Sequence, residues 1–482
     1  MVARHVMSGR GAPGRTARSR AADQGPWSVL VLLCAAQFMV ILDMTVVTVA
    51  LPSIGRSLGF APADLQWVVT AYLLATGGLT LLGGRAADLA GGRRMFGAGL
   101  VLFTAASLAS GLAPGATALV ASRAVQGVGA ALLTPAALTV ITATYTGDRR
   151  ARALAVWGAL ASAGLALGVL AGGALTSWLG WRSVFLINVP VGLAVLPAAR
   201  RLLPDSRLAP GRLDPRRLDL GGATLAVAGL AGGVYAISGA PAHGWGSART
   251  LVSLGVSAVL LAGFWLAERR AAAPLLPPGT LRSRTLTTGM LTMLAATGIL
   301  VGMQLLSSLF LQEVTGASPL RAGAEFLPLV VTAILGAGLA SHLVQHAGTR
   351  VLAVAGLALL ALSALLLSRV TAHSGYLSGM FPGLLLAGLG AGLAFPAASI
   401  TALSSVREGA EGLASGLLTT GHEVGAALGA AVFPVLAVGA GVTAGYSRAF
   451  AVAALAAVAV AAGAAAALPA VRPASGTRVG FH

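Results

Sequence analysis

The chain has 482 residues, 56% of them hydrophobic and 10% charged, with a formal net charge of +18 and a mean hydropathy of +0.86. A soluble globular domain carries about 25% charged residues. This composition therefore excludes a water-facing fold, together with the disordered, collagen-like and disulfide-scaffold classes, and points to an all-α polytopic membrane protein.

A spanning helix needs about 20 mainly apolar residues. In chain order such runs fall at 27–51, 65–84, 95–113, 116–143, 153–178, 183–203, 219–241, 250–268, 286–311, 323–344, 349–371, 376–401, 409–438 and 446–468. A basic tail, 1–26, precedes them and a short tail, 469–482, follows. Basic residues before the first run mimic a signal peptide, but its length and the span directly after it mark an uncleaved first helix. Most of the 65 glycines lie within the apolar runs, the pattern of close helix packing in lipid.

Fourteen spans put both termini on one side of the membrane. On that side lie 25 of the 32 basic residues, all arginine; six lie on the other, and Arg123 alone lies well inside a span. The asymmetry predicts cytoplasmic termini. Arginines set in short loops between apolar runs fit a lipid bilayer as partner and leave no need for nucleic acid. A lysine-free, Ala/Gly-rich chain suggests a GC-rich bacterial genome, hence the plasma (inner) membrane. The one cysteine, Cys34, sits in an apolar run and is read as packing.

The fourth run contains GVGAALLTPAA (Gly127–Ala137) and the twelfth GLGAGLAFPAA (Gly388–Ala398). The offset of 261 that relates them also carries Gly164 and Gly168 onto Gly425 and Gly429. This predicts two equivalent six-helix halves, 27–203 and 285–468, with a linker and inserted helices 7 and 8 in 204–284. Repeated halves with a substrate site between them are a common transporter plan.

Ionisable groups inside spans are functional candidates. Asp43 lies within the first run, in LDMTVVTVALP (Leu42–Pro52). An ionised carboxylate at a bilayer centre costs about 2.5–3.5 kcal/mol, so it must face a wet cavity, pair with a cation, or take a proton; the plainer alternative is a structural hydrogen bond at a helix end. Arg123, in SRAVQG (Ser122–Gly127), shares a helix face with Gln126, Ala130 and Thr134. This predicts a cavity-lining stripe in which Arg123 pairs with Asp43; the alternative is an arginine snorkelling to the interface. In the thirteenth run His422 and Glu423 are cavity candidates, or else a buried pair that satisfies itself; Gln304 in the ninth run is a further cavity candidate. Small-residue faces at Gly164, Gly168 and Gly172 and at Gly421, Gly425 and Gly429 predict tight packing, with the fifth and thirteenth helices as sliding surfaces.

Between the second and third runs stands GGRAADLAGGRRMF (Gly83–Phe96). With Asp43, the Arg123 segment, the fifth-run glycines and GWRSVFLINVPVG (Gly180–Gly192), it resembles the major facilitator superfamily, and the inserted pair resembles its fourteen-span drug–proton antiporter branch. That resemblance implies a cytoplasmic gate made by Gly84, Asp88, Gly91, Arg93 and Arg94. The chain departs from the pattern at Leu89 and Gly92, where basic residues are usual, at Thr48, where asparagine is usual, and at Val169, where the antiporter motif has proline.

The expected function is proton-coupled export of small hydrophobic organic molecules by a monomer, with Asp43 and Arg123 as the coupling pair and the proton gradient in place of any cofactor. Uptake of a metabolite by the same fold is the alternative, favoured by Val169. A membrane enzyme would need paired carboxylates or histidine clusters at one face, and none is visible. His342 and His346 are read as a helix end, so no metal is expected. The Gly-rich fragments lack the strand and lysine of a nucleotide loop.

Overall fold

A computed structural model of the chain describes residues 27–61, 64–203, 218–271, 274–277, 279–406, 411–437 and 442–471. The tail at 1–26, most of the expected linker and the end of the chain lie outside the described residues. All elements among the described residues are helical. The first half comprises α1 (Trp27–Leu58), α2 (Trp67–Ala90), α3 (Gly92–Gly111), α4 (Ala116–Thr144), α5 (Gly147–Leu179) and α6 (Ser183–Leu202). The inserted pair is α7 (Leu220–His243) and α8 (Ala248–Arg270). In the second half, α9 spans Arg284–Val314 and closes with a π turn at Phe310–Val314. The stretch Pro319–Leu367 breaks at Gly348, where a φ of 78° separates α10 (319–347) from α11 (349–367). Then come α12 (Met380–Leu403), α13 (Glu411–Ala437) and α14 (Val442–Ala467).

These are the fourteen expected helices, with shifted edges. α1 continues past Pro52 to Leu58. α2 runs on to Ala90, so most of the expected loop is helical and the turn shrinks to Gly91, whose φ of 92° no side-chain-bearing residue adopts easily. Among the described residues twelve stretches, with Pro319–Leu367 taken as one, are long and apolar enough to cross a membrane; α5 adds a shorter apolar segment, Leu167–Leu179. Large apolar side chains such as Val31, Trp178, Val259 and Leu455 are exposed on the outside of the bundle, as expected where the surrounding solvent is lipid.

The bundle has a near face, where α1 begins, and a far face, where it ends. An even number of crossings returns the chain to the near face. There Arg284 at the start of α9 donates to the Ala467 carbonyl (3.1 Å), and Leu30 N donates to the Tyr145 hydroxyl beyond α4 (3.1 Å).

The two largest parts of the core are built one around Leu33, Tyr72, Phe103 and Phe185, the other around Phe310, Phe326, Leu360 and Phe450. The sequence repeat is a repeat of contacts. Gly127 of α4 lies against the Tyr72 carbonyl of α2 and Gly129 against Phe103 of α3; Gly388 of α12 lies against the Leu329 carbonyl of α10 and Gly390 against Gly356 of α11. Likewise Gly164 and Gly168 of α5 face Ile41 and Thr45 of α1, while Gly425 and Gly429 of α13 face Leu294 and Gly298 of α9. Gly172 adds Val46, and Gly421 adds Met290.

This corrects one expectation. The small-residue faces of α5 and α13 lock each helix inside its own half and are not sliding surfaces between halves. Other residues join the halves. On the far side Gly323 of α10 sits against the Val169 carbonyl, and Gly173 of α5 against Leu320. Leu320 N also donates to Ser177 Oγ (3.0 Å). Toward the near side Gly77 and Leu81 of α2 meet Glu423 and Gly416 of α13. The inserted α7 leans on α2 through Val227 against Gly78 and a bond from Gln66 Nε2 to Ser238 Oγ (2.6 Å).

Candidate functional site

Three helices of the first half and the turn into α6 converge on Asp43, which is 0% exposed. Arg123 Nη1 of α4 donates to Asp43 Oδ2 at 2.5 Å. Gln126 Nε2, one helical turn on, donates to Asp43 Oδ1 (2.8 Å), and Asn188 Nδ2 of α6 donates to the same oxygen (2.8 Å). Ser107 Oγ of α3 accepts from both amides, at 2.7 Å from Gln126 and 3.3 Å from Asn188. Arg123 also donates through Nη1 to Gln126 Oε1 (2.7 Å) and through Nε to the Val68 carbonyl of α2 (3.0 Å). Its guanidinium lies 4.3 Å from the Tyr72 ring centroid and 5.6 Å from that of Phe185. Every charge and nearly every lone pair here has a partner, the condition under which a charged pair survives in a low dielectric. Of the options open to Asp43, the structure adopts pairing with a cation.

The stripe on α4 accordingly does not line an open cavity. Arg123, Gln126 and Ala130 are 1%, 0% and 0% exposed, because the face they share is turned into the junction of α1, α2, α3 and α6. Thr134, two turns further along, is half-buried, and its hydroxyl donates to Gln37 Oε1 of α1 (3.0 Å). Gln304 of α9 is half-buried.

Glu423 is differently placed. It is 9% exposed, and its Cβ presses on Gly77 of α2, so it stands where the halves meet. His422 Nδ1 is 3.7 Å from Glu423 Oε1, beyond hydrogen-bond range, while Oε2 has no partner. His422 packs edge-on to Phe395 of α12 (5.9 Å between centroids). The Tyr72 ring that carries the Arg123 guanidinium belongs to α2, the helix whose Gly77 Glu423 abuts, and the Tyr72 hydroxyl is buried.

At the near face Gly91 forms the turn, Gly92 abuts Val140 and the Ala136 carbonyl, and Arg93 Nη2 donates to the Arg200 carbonyl at the end of α6 (2.5 Å). Asp88 is exposed beside Arg85, which donates to the Pro274 carbonyl after α8 (2.9 Å). Of the two adjacent glycines, Gly84 meets only Pro135, at 3.7 Å, while Gly83 lies on the Ala131 carbonyl.

At the far face the end of α9 aims two side chains at α1, Ser308 from its last α-helical turn and Gln312 from the π turn. Ser308 Oγ donates to the Thr48 carbonyl (3.1 Å) and Gln312 Nε2 to the Val49 carbonyl (2.9 Å). In the loop after α11, burial and then the Glu325 carboxylate push the Tyr376 phenol up to about 12; its hydroxyl donates to the Glu325 carbonyl (2.6 Å). Arg321 Nε donates to Glu325 Oε1 (2.8 Å). Among the described residues no group of three or more His, Cys, Asp or Glu side chains is placed to hold a metal ion.

Sequence reasoning missed Ser107, Asn188, Tyr72, Gln37 and Gln312. Asn188 lay inside a segment already singled out, GWRSVFLINVPVG. An uncharged amide inside an apolar run was the available signal.

The family model described as Major Facilitator Superfamily matches residues 33–430. The chain is 43% identical over 418 residues to a cephamycin export protein of Amycolatopsis lactamdurans, covering 86% of this chain and 85% of that protein. It is 40% identical over 434 residues to a puromycin resistance protein of Streptomyces alboniger (88% and 85%) and 37% over 428 residues to a lincomycin resistance protein of Streptomyces lincolnensis (86% and 86%). Among solved structures, a POT family peptide transporter superposes with a TM-score of 0.68 over 93% of this chain and 97% of that one at 17% identity, a likeness of fold alone.

Proposed function

The chain belongs to the Major Facilitator Superfamily, and from that premise we propose that it exports small, largely hydrophobic organic molecules across the bacterial plasma membrane as a proton-coupled monomer. Export and cargo class rest on relatives named for antibiotic export or resistance. The near face, which carries most arginines, is the cytoplasmic side in this reading. Alternating access then rocks the two halves about the cargo.

The observation that carries proton coupling is the sealed Asp43–Arg123 pair beside a carboxylate with an open oxygen. A proton on Asp43 removes the counter-charge of Arg123, and an uncompensated buried guanidinium is strongly unfavourable. Arg123 then seeks another anion, and Glu423, packed on the same helix α2 that carries the Tyr72 ring, is the candidate. Glu423 sits at the contact of the halves, so a charge change there acts where the halves must part. Asp88 and the arginines at the α2–α3 turn gate the near side, and Gln37, Thr134, Gln304 and His422 face the cargo path.

The test is drug accumulation in an efflux-deficient host with and without the protein. Export lowers accumulation, and a protonophore abolishes the difference. A difference unchanged by gradient collapse refutes proton coupling; raised accumulation refutes export and favours uptake, the reading that Val169 supports.

A further inference from the structure

A groove of about 690 Å³ opens at the near end of the first half, between α3 and α6 with Leu132 of α4 as its floor. Its walls divide by chemistry. Arg93, Arg94 and Arg200 ring the near-face end, and among the described residues no carboxylate lines any part of it. Deeper in, the lining is apolar. On α3, residues 94, 98, 101 and 105 fall on one helical face, and Val101 there is 47% exposed. From Arg94 to Ala105 the helix rises about 16 Å, close to the depth of about 15 Å of one leaflet's hydrocarbon. Gly97 lines the groove too, and it needs no glycine for packing or backbone: a Cβ there would meet nothing within 4 Å, and its φ is not positive. The missing side chain keeps the groove open.

We propose that this groove binds one anionic phospholipid, its phosphate held by the arginine cluster and an acyl chain laid along α3. The inference rests on the membrane reading of the fold and not on the cargo or its coupling. Guanidinium groups match phosphate geometry with paired, charge-assisted hydrogen bonds, and basic pockets between spanning helices suit anionic headgroups. A lipid seated there bears on Arg93 and Arg94 at the turn that joins α2 to α3.

The experiment is native mass spectrometry of the full chain, delipidated in detergent and titrated with phosphatidylglycerol or with phosphatidylcholine of identical acyl chains. The expected result is one phosphatidylglycerol bound at least tenfold tighter than phosphatidylcholine. Arg94→Gln should weaken phosphatidylglycerol about fivefold, as one surface arginine contributes. Gly97→Leu, which fills the groove, should remove the bound lipid while the variant retains its thermal unfolding temperature. Should Gly97→Leu fail to assemble, Ala98→Trp, at an exposed position on the same wall, takes its place. Equal binding of the two lipids overturns the proposal, as does full binding to the filled groove. Displacement of phosphatidylglycerol by millimolar inorganic phosphate alone would mean a phosphate site without a lipid, and overturns it equally.

Discussion

Arg123 Nη1 and Asp43 Oδ2 lie 2.5 Å apart, 80 residues distant in sequence and both essentially unexposed. Such a pair is weak evidence for stability as such, since its desolvation offsets its attraction, but breaking it from one side is costly, about 3–5 kcal/mol. Arg123→Ala should therefore lower folded yield and thermal stability by an amount in that range. Asp43→Asn leaves the buried Arg123 without its counter-charge and should lose stability in the same range while losing drug resistance. The check is unfolding temperature and resistance on the same samples. Full resistance in a well-folded Asp43→Asn protein would remove Asp43 from the mechanism.

Glu423→Gln keeps size and shape beside Gly77 and should fold normally, within about 0.5 kcal/mol of wild type, as expected of a change that breaks no existing hydrogen bond. If Glu423 carries a proton, transport in inverted vesicles varies with pH in the wild type and is flat in the variant. A profile unchanged by the substitution assigns the carboxylate to packing.

Gly83 and Gly84 should part company on substitution. Gly83→Ala places a methyl on the Ala131 carbonyl, whereas Gly84→Ala meets only Pro135 at 3.7 Å. Overpacking costs about 1–3 kcal/mol, so Gly83→Ala should depress the unfolding temperature and Gly84→Ala leave it unchanged or raised. Equal effects would mean that α2 and α4 are less closely packed than described.

The far-face bonds from Ser308 and Gln312 to α1 should control opening on that side. Each hydrogen bond contributes about 0.5–1.5 kcal/mol. Removing both, in Ser308→Ala/Gln312→Leu, should raise far-side opening roughly tenfold or more. A non-permeant thiol reagent reads this at Thr48→Cys in a Cys34→Ser background, because only the main chain of residue 48 receives the bond. Equal labelling rates would show that these bonds do not hold the halves.

Much of the scaffold was legible because the bilayer imposes one length and one polarity on every crossing, and loop arginines keep the count honest. Asp43 and Arg123 were legible because charge inside a span is rare. Ser107 and Asn188 were not, since an isolated amide or hydroxyl is ordinary in an apolar helix and gains meaning only when α3 and α6 bring it to Asp43. The glycine ladders announced close contact but not the contacting helix: α5 and α13 do lie at the seam between halves, but their ladders grip α1 and α9 while other residues of the same helices meet the opposite half. The α4 stripe had the right periodicity, but which helices it faces is set by packing.

The far-face donors reach main-chain oxygens of Thr48 and Val49, while the Thr48 hydroxyl turns back to the Met44 carbonyl (3.2 Å). A latch that reads backbone is blind to side-chain identity. Side chains along this stretch of α1 can therefore change while the two bonds that fasten it to α9 stay in place.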